Sequence, residues 1–328
     1  MTKVAVIGAG VTGITTAYEL LNQGFDVTVF DRHRYAAMET SFANGGQLSA
    51  SNAEVWTQWS TVLKGLKWML QADAPLLVNP APTLHKMRWM MEFLSNIPNY
   101  KTNTVETVRL AIAARAVLFD MADREGIDFD LEKRGILHFY TRQKDLAHAR
   151  KVNALLKEGG LDRREVSPDE LHQIEPTLTG DIIGGFVTPS DSSGDIHKFT
   201  MGLAQACARR GATLRYGTSV TQIEADDTGV RVTTDTTEHF DKIVVCAGIK
   251  SRDFARQLGD RVNVYPVKGY SVTVALNDDA SRAAAPWSSL LDDHAKIVAS
   301  RFGKDRFRIA GTAEFNGINR DIRADRIK

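Results

Sequence analysis

Lys3-Val4-Ala5-Val6-Ile7-Gly8-Ala9-Gly10-Val11-Thr12-Gly13 stands almost at the start of the chain, and its reading decides the fold. The apolar run at residues 2–7 reads as a buried strand, and the glycines that follow are spaced Gly-x-Gly-x-x-Gly. An amphipathic helix then runs through about Asn22 and is closed by Gly24. Residues 26–30 form a second apolar strand, and Asp31 sits at its end. Each glycine has a physical task. Gly8 lets the strand turn tightly, Gly10 lets backbone approach a pyrophosphate, and Gly13 lets helix and strand pack closely. The helix N-terminus then offers free N–H groups and the positive end of its dipole to phosphates, so Val11 and Thr12 join the candidate contacts. A carboxylate at Asp31 is placed to accept hydrogen bonds from a ribose. Arg32 and Arg34 beside it keep open a dinucleotide bearing a 2′-phosphate. The motif predicts a βαβ dinucleotide site and leaves NAD and FAD both open.

Outward from this opening, the 328 residues exceed the roughly 250–300 at which a single core stops growing, so two domains are expected. With 43% hydrophobic and 25% charged residues the composition is that of a globular protein. A net charge of +1 provides no long-range attraction for nucleic acid, and basic pairs such as Arg209-Arg210 and Arg163-Arg164 read as solvated surface. Cys207 and Cys246 form no Cys-x-x-Cys pair and have no accompanying His cluster; they read as small buried side chains in a reducing compartment, with no metal site expected. No signal-peptide pattern precedes the first strand, and no apolar run reaches the ~20 residues of a membrane span. The expectation is a cytoplasmic protein, with attachment to the inner face of the cytoplasmic membrane left open.

Further along, four of the five tryptophans, Trp56, Trp59, Trp68 and Trp89, fall within residues 55–94. Helical apolar spacing there, interrupted by Pro75, Pro80 and Pro82, predicts two helices joined by a proline-rich turn. Packing in a core and contact with a membrane surface are both open for these tryptophans. A third helix is expected at 104–124, a strand at 135–141, a helix at 144–158 and a helix at 195–210. Ser167-Pro168-Asp169-Glu170 carries a capping-box pattern. Short strands are expected near 185–188, 213–216, 220–224, 230–234, 243–246, 265–276 and 307–310.

The segment Glu39-Thr40-Ser41-Phe42-Ala43-Asn44-Gly45-Gly46-Gln47-Leu48-Ser49 follows the second strand. Its small hydroxyl and glycine residues allow a loop to run along a cofactor and bond it through backbone N–H groups. The order of segments resembles the D-amino-acid-oxidase-like flavoproteins. Within them, this loop is similar to the flavin loop of the bacterial D-amino acid dehydrogenases. The resemblance continues through Lys67-Trp68-Met69, Arg88-Trp89-Met90, Ser193-Gly194-Asp195, Tyr265-Pro266-Val267-Lys268-Gly269-Tyr270-Ser271 and Lys296-Ile297-Val298-Ala299-Ser300-Arg301-Phe302, so it spans essentially the whole chain.

The resemblance implies FAD, bound without a covalent link. Gly8, Gly10 and Gly13 would hold the pyrophosphate, and Asp31 with Arg32 the adenosine end. Thr40, Ser41, Gly45, Gly46, Gln47 and Leu48 would line the ribityl chain and isoalloxazine. Val220 would meet the adenine, and Ala247-Gly248 would let a strand end approach the cofactor. Val220 reads equally as a core residue and Gly248 as a turn. The implied chemistry is oxidation of a D-amino acid, with the Cα hydrogen passing as hydride to flavin N5, the imino acid hydrolysing to a 2-oxo acid and ammonia, and electrons leaving to a non-oxygen acceptor such as quinone. No side-chain acid or base is required when the amine arrives neutral. Tyr265, Lys268, Tyr270, Ser271 and Arg301 are candidate substrate residues. Tyr270 also fits a half-buried strand and Lys268 a solvated charge, while Arg301 fits either a substrate carboxylate or a pair with Glu314 or Asp305.

Two other readings share these residues: a glycine- or sarcosine-oxidase-like enzyme that uses oxygen, and a catalytically impaired FAD-binding relative. The second arises because members of the family extend beyond the point that corresponds to Arg326-Ile327-Lys328. An Arg for the substrate carboxylate and a glycine-rich turn over the flavin are implied in that extension. The expected architecture is α/β. Residues 1–51 and 191–260 would form a discontinuous Rossmann-like FAD-binding domain. Residues 52–190 and 261–328 would form a substrate domain with a largely antiparallel sheet and helices.

Overall fold

The apolar run at the start of the chain does form a buried strand, Lys3–Ile7, at the centre of a parallel sheet. The computed structural model describes residues 1–68 and 76–327. These divide into two compact units. The first comprises Met1–Asn44, Phe119–Phe129 and Ile196–Val264, and the second comprises Gly45–Leu118, Asp130–Asp195 and Tyr265–Lys328.

In the first unit the strand order is Lys242–Val245, Lys3–Ile7, Asp26–Phe30, Thr213–Arg215, and every neighbouring pair is parallel. A parallel sheet covered on both faces needs apolar residues at consecutive positions rather than alternate ones. Val4, Ala5, Val6, Val27, Val29 and Phe30 are accordingly all buried. The helix Val11–Asn22 turns Ile14, Ala17 and Tyr18 inward and packs on the helix Ile196–Arg209, where the Cys207 thiol lies 3.8 Å from the Ile14 carbonyl. A separate antiparallel sheet of Gln222–Asp226, Gly229–Thr233 and Thr237–Phe240 supplies Ile223, Val232 and Phe240 to a cluster with Ala5, Ile7 and Phe30. The half-buried Glu125 joins elements far apart in sequence: it accepts from the Tyr18 hydroxyl at 2.9 Å and pairs with Arg209 and Arg210.

The second unit is built on a sheet with eight strands among the described residues. The order is Lys268–Ala275, Arg306–Phe315, Ile297–Phe302, Ser289–Asp292, Ile136–Tyr140, Gly184–Thr188 and Arg164–Val166, with Leu76–Val78 added beside Arg306–Phe315. The pairings are antiparallel except Ser289–Asp292 with Ile136–Tyr140 and Leu76–Val78 with Arg306–Phe315. One face buries Leu137, Val166, Leu171, Val187 and Leu290. The capping box expected at Ser167 is present, with Ser167 and Glu170 each bonding the other's backbone N–H.

Several features differ from the sequence expectation. The proline-divided stretch forms the helices Trp59–Trp68 and Leu84–Ser95, but Leu76–Val78 between them is a strand. Its three apolar residues gain a strand partner that local periodicity does not reveal. The expectations for the Trp68 side chain, Met69, Leu70 and Pro75 lie outside the described residues. Arg164–Val166, Thr237–Phe240, Ser289–Asp292 and Ile297–Phe302 are strands not expected from the sequence. Finally, Arg306–Phe315 is much longer than the expected 307–310, because it continues through an irregularity at Gly311 and Thr312. Thr312 has φ +59°, and the register slips against the neighbouring strand between Lys268 and Tyr270. An extra residue of this kind reverses which side chains point to a given face. Ala310 lies opposite Val298 before the slip, whereas Ala313 and Phe315 line the same cavity as Val298 after it.

At the glycine turn, a β-carbon on Gly13 would land on the Gly8 carbonyl oxygen, and one on Gly8 would land on the Cys246 carbonyl at φ +109°. A β-carbon on Gly10 meets only the Ser41 hydroxyl, at 3.5 Å. Gly13→Ala should therefore lower unfolding free energy by about 1–3 kcal/mol through overpacking, with Gly10→Ala much closer to wild type. Denaturant midpoints check this, and equal midpoints for the two variants would contradict the close approach.

Candidate cofactor and substrate site

Cofactor candidates in the first unit gather at the carboxyl ends of its parallel strands, where doubly wound sheets bind ligands. Gly8 follows Lys3–Ile7, Asp31 follows Asp26–Phe30, and Ala247-Gly248 follows Lys242–Val245. Gly10 is the N-cap of the helix Val11–Asn22, and Thr12 and Gly13 lie in its first turn. The Ser41 hydroxyl accepts from Val11 N–H at 2.9 Å, so Ser41 stands directly against the helix start. Asp31 ties the turn together: its Oδ2 accepts from Ala9 N–H at 2.7 Å and its Oδ1 from His33 N–H at 2.8 Å. A carboxylate accepts about four hydrogen bonds, so this anchoring leaves acceptor capacity for a ribose. Arg32 is paired with Glu39, which also contacts His33 at 2.8 Å. Thr40 is exposed. Val220 and Ala247 are partly buried against the core cluster, and Gly248, at φ +57°, starts a short helical turn. A side-chain-free backbone cradle, an exposed helix start and an acid at the next strand end together fit a dinucleotide.

The rest of the loop belongs to the second unit. Gly45 lies tight against the sheet, where a β-carbon would be 2.8 Å from Val298 Cγ2, and its carbonyl accepts from Ser300 Oγ at 2.7 Å. Gly46, at φ +67°, accepts from Gly194 N–H at 2.8 Å and has the Phe302 ring where a side chain would stand. Gln47 and Leu48 pair antiparallel with Ser193 and Ser192, and the Gln47 amide donates to Ser289 Oγ at 2.8 Å and Leu290 O at 3.1 Å.

All five substrate candidates lie in the second unit, in different surroundings, with Ser271 paired to Ala310 in the strand ladder. Tyr265 is buried in an aromatic group, stacked on Phe315 at 6.2 Å and tilted against Trp89 at 5.6 Å. Lys268 is no free surface charge: it pairs at 3.0 Å with the buried Glu314, which also accepts from the Tyr270 hydroxyl at 3.1 Å. Arg301 is 1% exposed. Its guanidinium donates to the carbonyls of Gly303, Arg282, Ala285 and Lys304 at 2.8–3.1 Å and lies 3.6 Å over the Trp287 ring. Both the substrate carboxylate and the expected acidic partners Glu314 and Asp305 thus give way to backbone carbonyls, and we assign Arg301 a structural role.

The same face of the sheet carries a cavity of about 590 Å³. Trp89, Met90, Phe93, Leu291, Val298 and Phe315 are among its apolar lining. At one part of the wall lies a buried polar network. Asp191 accepts from Ala50 and Ser51 N–H at 3.0 Å each and pairs with Arg115. Ser51 Oγ is 2.9 Å from His138 Nε2, His138 Nδ1 is 3.5 Å from Asp293, and the Tyr140 hydroxyl donates to Asp293 at 2.6 Å. Burial, with the Arg163 charge, pushes the His138 imidazole below its ordinary range. Burial alone would raise the Asp293 carboxyl, but His138, Lys296 and Tyr140 together hold it well below the usual carboxylate range.

The sequence pattern of the family described as FAD dependent oxidoreductase matches residues 3–328. The chain belongs to that family. FAD is accordingly its cofactor, which resolves the choice that the glycine turn left open. The chain is 62% identical to D-amino acid dehydrogenase 3 of Mesorhizobium japonicum, covering 100% of this chain and 81% of that protein. It is 42% identical to the D-amino acid dehydrogenase of Paramagnetospirillum magneticum, covering 97% and 76%. Among solved structures it is similar to glycine oxidase from Geobacillus kaustophilus, with TM-score 0.73 and 20% identity over 100% of this chain and 76% of that one. It is also similar to L-proline dehydrogenase from P. horikoshii, with TM-score 0.70 and 15% identity over 99% and 74%. These two likenesses show the shared fold of this FAD dependent oxidoreductase.

The His138 network was not expected from the sequence. Its members come from separated segments, and the one available signal was a histidine inside the otherwise apolar strand pattern Ile136-Leu137-His138-Phe139. A histidine whose folded pKa is lowered stabilises the fold above its unfolded pKa of about 6.5 and loses that contribution as pH falls, because the unfolded chain takes the proton first. Stability to denaturant should therefore decline below about pH 6.5, and His138→Gln should flatten that slope. An unchanged slope in the variant would show that the imidazole is not held neutral.

Proposed function

We propose that this FAD dependent oxidoreductase oxidises D-amino acids to 2-oxo acids and ammonia, passing electrons to an acceptor other than oxygen. The observation that carries the reading is 62% identity, over the whole chain, to a protein named D-amino acid dehydrogenase 3. In this reading the first unit is the FAD-binding domain, with the remainder of the flavin loop and the substrate surfaces in the second. The Gly8–Gly10–Gly13 turn and the N-terminal N–H groups at Val11 and Thr12 bind the pyrophosphate, and Asp31 binds the ribose. Thr40, Ser41 and residues 45–48 hold the ribityl and isoalloxazine portions, while Val220, Ala247 and Gly248 border the adenosine end. The bound FAD supplies the two-electron oxidising chemistry. The protein's part is to bind, orient and exclude water, and a substrate arriving as the neutral amine needs no side-chain base. Tyr265, Lys268 and Tyr270 shape the substrate side, with Lys268 and Tyr270 fixed by the buried Glu314.

Anaerobic mixing with a D-amino acid should bleach the bound flavin, and turnover should follow dye reduction with little hydrogen peroxide. Stoichiometric peroxide would instead assign an oxidase, and no bleaching with any D-amino acid would refute the reading.

We also propose peripheral contact with the inner face of the cytoplasmic membrane, which would place the enzyme beside a quinone acceptor. Among the described residues no helix is long and apolar enough to cross a membrane. Support for surface contact comes from Trp56 and Trp59, which are 56% and 63% exposed, and from the exposed Leu63 on Trp59–Trp68 and Leu84 on Leu84–Ser95. Amphipathic surfaces with tryptophan bind at the headgroup boundary. Trp89, packed against Tyr265, Phe93 and Phe315, belongs to the protein interior instead. The protein should co-float with vesicles containing anionic lipid, and Trp56→Ser with Trp59→Ser should reduce the floated fraction several-fold. A wild-type protein that stays at the bottom of the gradient at low salt would exclude the contact.

A further inference from the structure

The cavity in the second unit is larger than the polar ends of an amino acid require, and two of its walls, a helix and a sheet, are largely apolar. Its volume of about 590 Å³ lies within the 300–1,000 Å³ typical of small-molecule sites. One wall is the helix Leu84–Ser95, which contributes Met87, Trp89, Met90, Met91, Phe93 and Leu94. The opposite wall is the sheet, with Leu291, Val298, Ala313 and Phe315. Methionine side chains are unbranched and polarizable, and make favourable contacts with aromatic rings, so a wall rich in them adapts to apolar ligands of differing shape.

Two observations connect this cavity to the cofactor loop, both within the second unit. Val298 lines the cavity and is the side chain against which Gly45 is pressed. Gln47 donates to Ser289 Oγ and Leu290 O, immediately before the cavity residue Leu291. The residues assigned to the flavin and the cavity therefore share one face of one sheet. Among the charged groups of the lining, Asp293 meets Tyr140, His138 and Lys296, Glu54 accepts from Tyr100, Lys86 donates to the Asn79 and Ala81 carbonyls, and Arg163 lies over the Phe186 ring at 4.4 Å. Acids (Glu54, Asp145, Asp293) and bases (Lys64, Lys86, Arg163, Lys296) line it together and give no single-sign field to attract an acidic or a basic side chain.

We propose that this cavity receives the side chain of the amino-acid substrate and selects for large apolar groups, aromatic or thioether-bearing. The inference rests on the D-amino acid reading above and deepens it by naming the substrate class. It predicts specificity from both walls, with Met90 on the helix and Ala313 on the sheet as determinants.

The test uses the FAD-loaded protein and anaerobic flavin reduction with D-phenylalanine, D-methionine, D-alanine and D-aspartate. Catalytic efficiency with D-phenylalanine and D-methionine should exceed that with D-alanine by about tenfold or more, and D-aspartate should be the poorest. Met90→Trp and Ala313→Phe narrow the cavity from opposite sides, and each should lower the D-phenylalanine to D-alanine ratio by about tenfold or more. A wild type that prefers D-alanine overturns the proposal, whatever the variants do. So does an unchanged ratio in variants that retain FAD and fold. A protein that oxidises D-alanine but shows either result keeps its proposed function and loses only this inference. A protein whose flavin is reduced by no D-amino acid loses both.

Discussion

A carbonyl oxygen of Gly8 occupies the space that a side chain at residue 13 would need, and the arrangement of the first unit follows from that contact. It brings the helix Val11–Asn22 down onto the strand before it, and so aims the helix start along the carboxyl edge of the sheet. Asp31 reinforces the geometry by accepting the Ala9 N–H, which joins the turn to the next strand end. Ser41 completes it from thirty residues further on, through the Val11 N–H. The cofactor edge is thus fixed by backbone proximity and two short side chains rather than by a large apolar core.

This explains why the first unit was so readable in the sequence. Glycine spacing, an apolar run and an acid at a strand end are local features, and their structural consequence is local too. The parallel sheet, the capping box at Ser167 and most helices lie where periodicity and capping residues put them. What escaped detection depends on partners distant in sequence. Leu76–Val78 is a strand because Ala313, Glu314 and Phe315 lie beside it. Lys268 is an ion-pair partner because Glu314 is buried opposite it on the neighbouring strand. Arg301 invited a reading as a carboxylate ligand because guanidinium favours carboxylates, yet four carbonyl groups from nearby segments satisfy it equally well. Residue type specifies what a side chain can bind, and only the fold specifies what is within reach.

The second unit holds residues 45–48 and the cavity on one sheet. Residues 45–48 are fixed to the sheet by backbone and small-residue contacts that tolerate little change. Val298, on the same sheet, both presses on Gly45 and lines the cavity, so the loop and the cavity share a side chain.

The irregularity at Gly311 and Thr312 gives that arrangement a reading frame. Up to Ala310 the strand presents its even-numbered residues to the face shared with Val298, and beyond Thr312 it presents Ala313 and Phe315. Flattening this irregularity with every residue kept would impose strict alternation, turn Phe315 away and bring Glu314 round to the cavity. Lys268 and Tyr270 would lose their shared partner in the same step. The path of the backbone at two residues therefore separates a greasy chamber from an acidic one, with no substitution of any side chain that lines it.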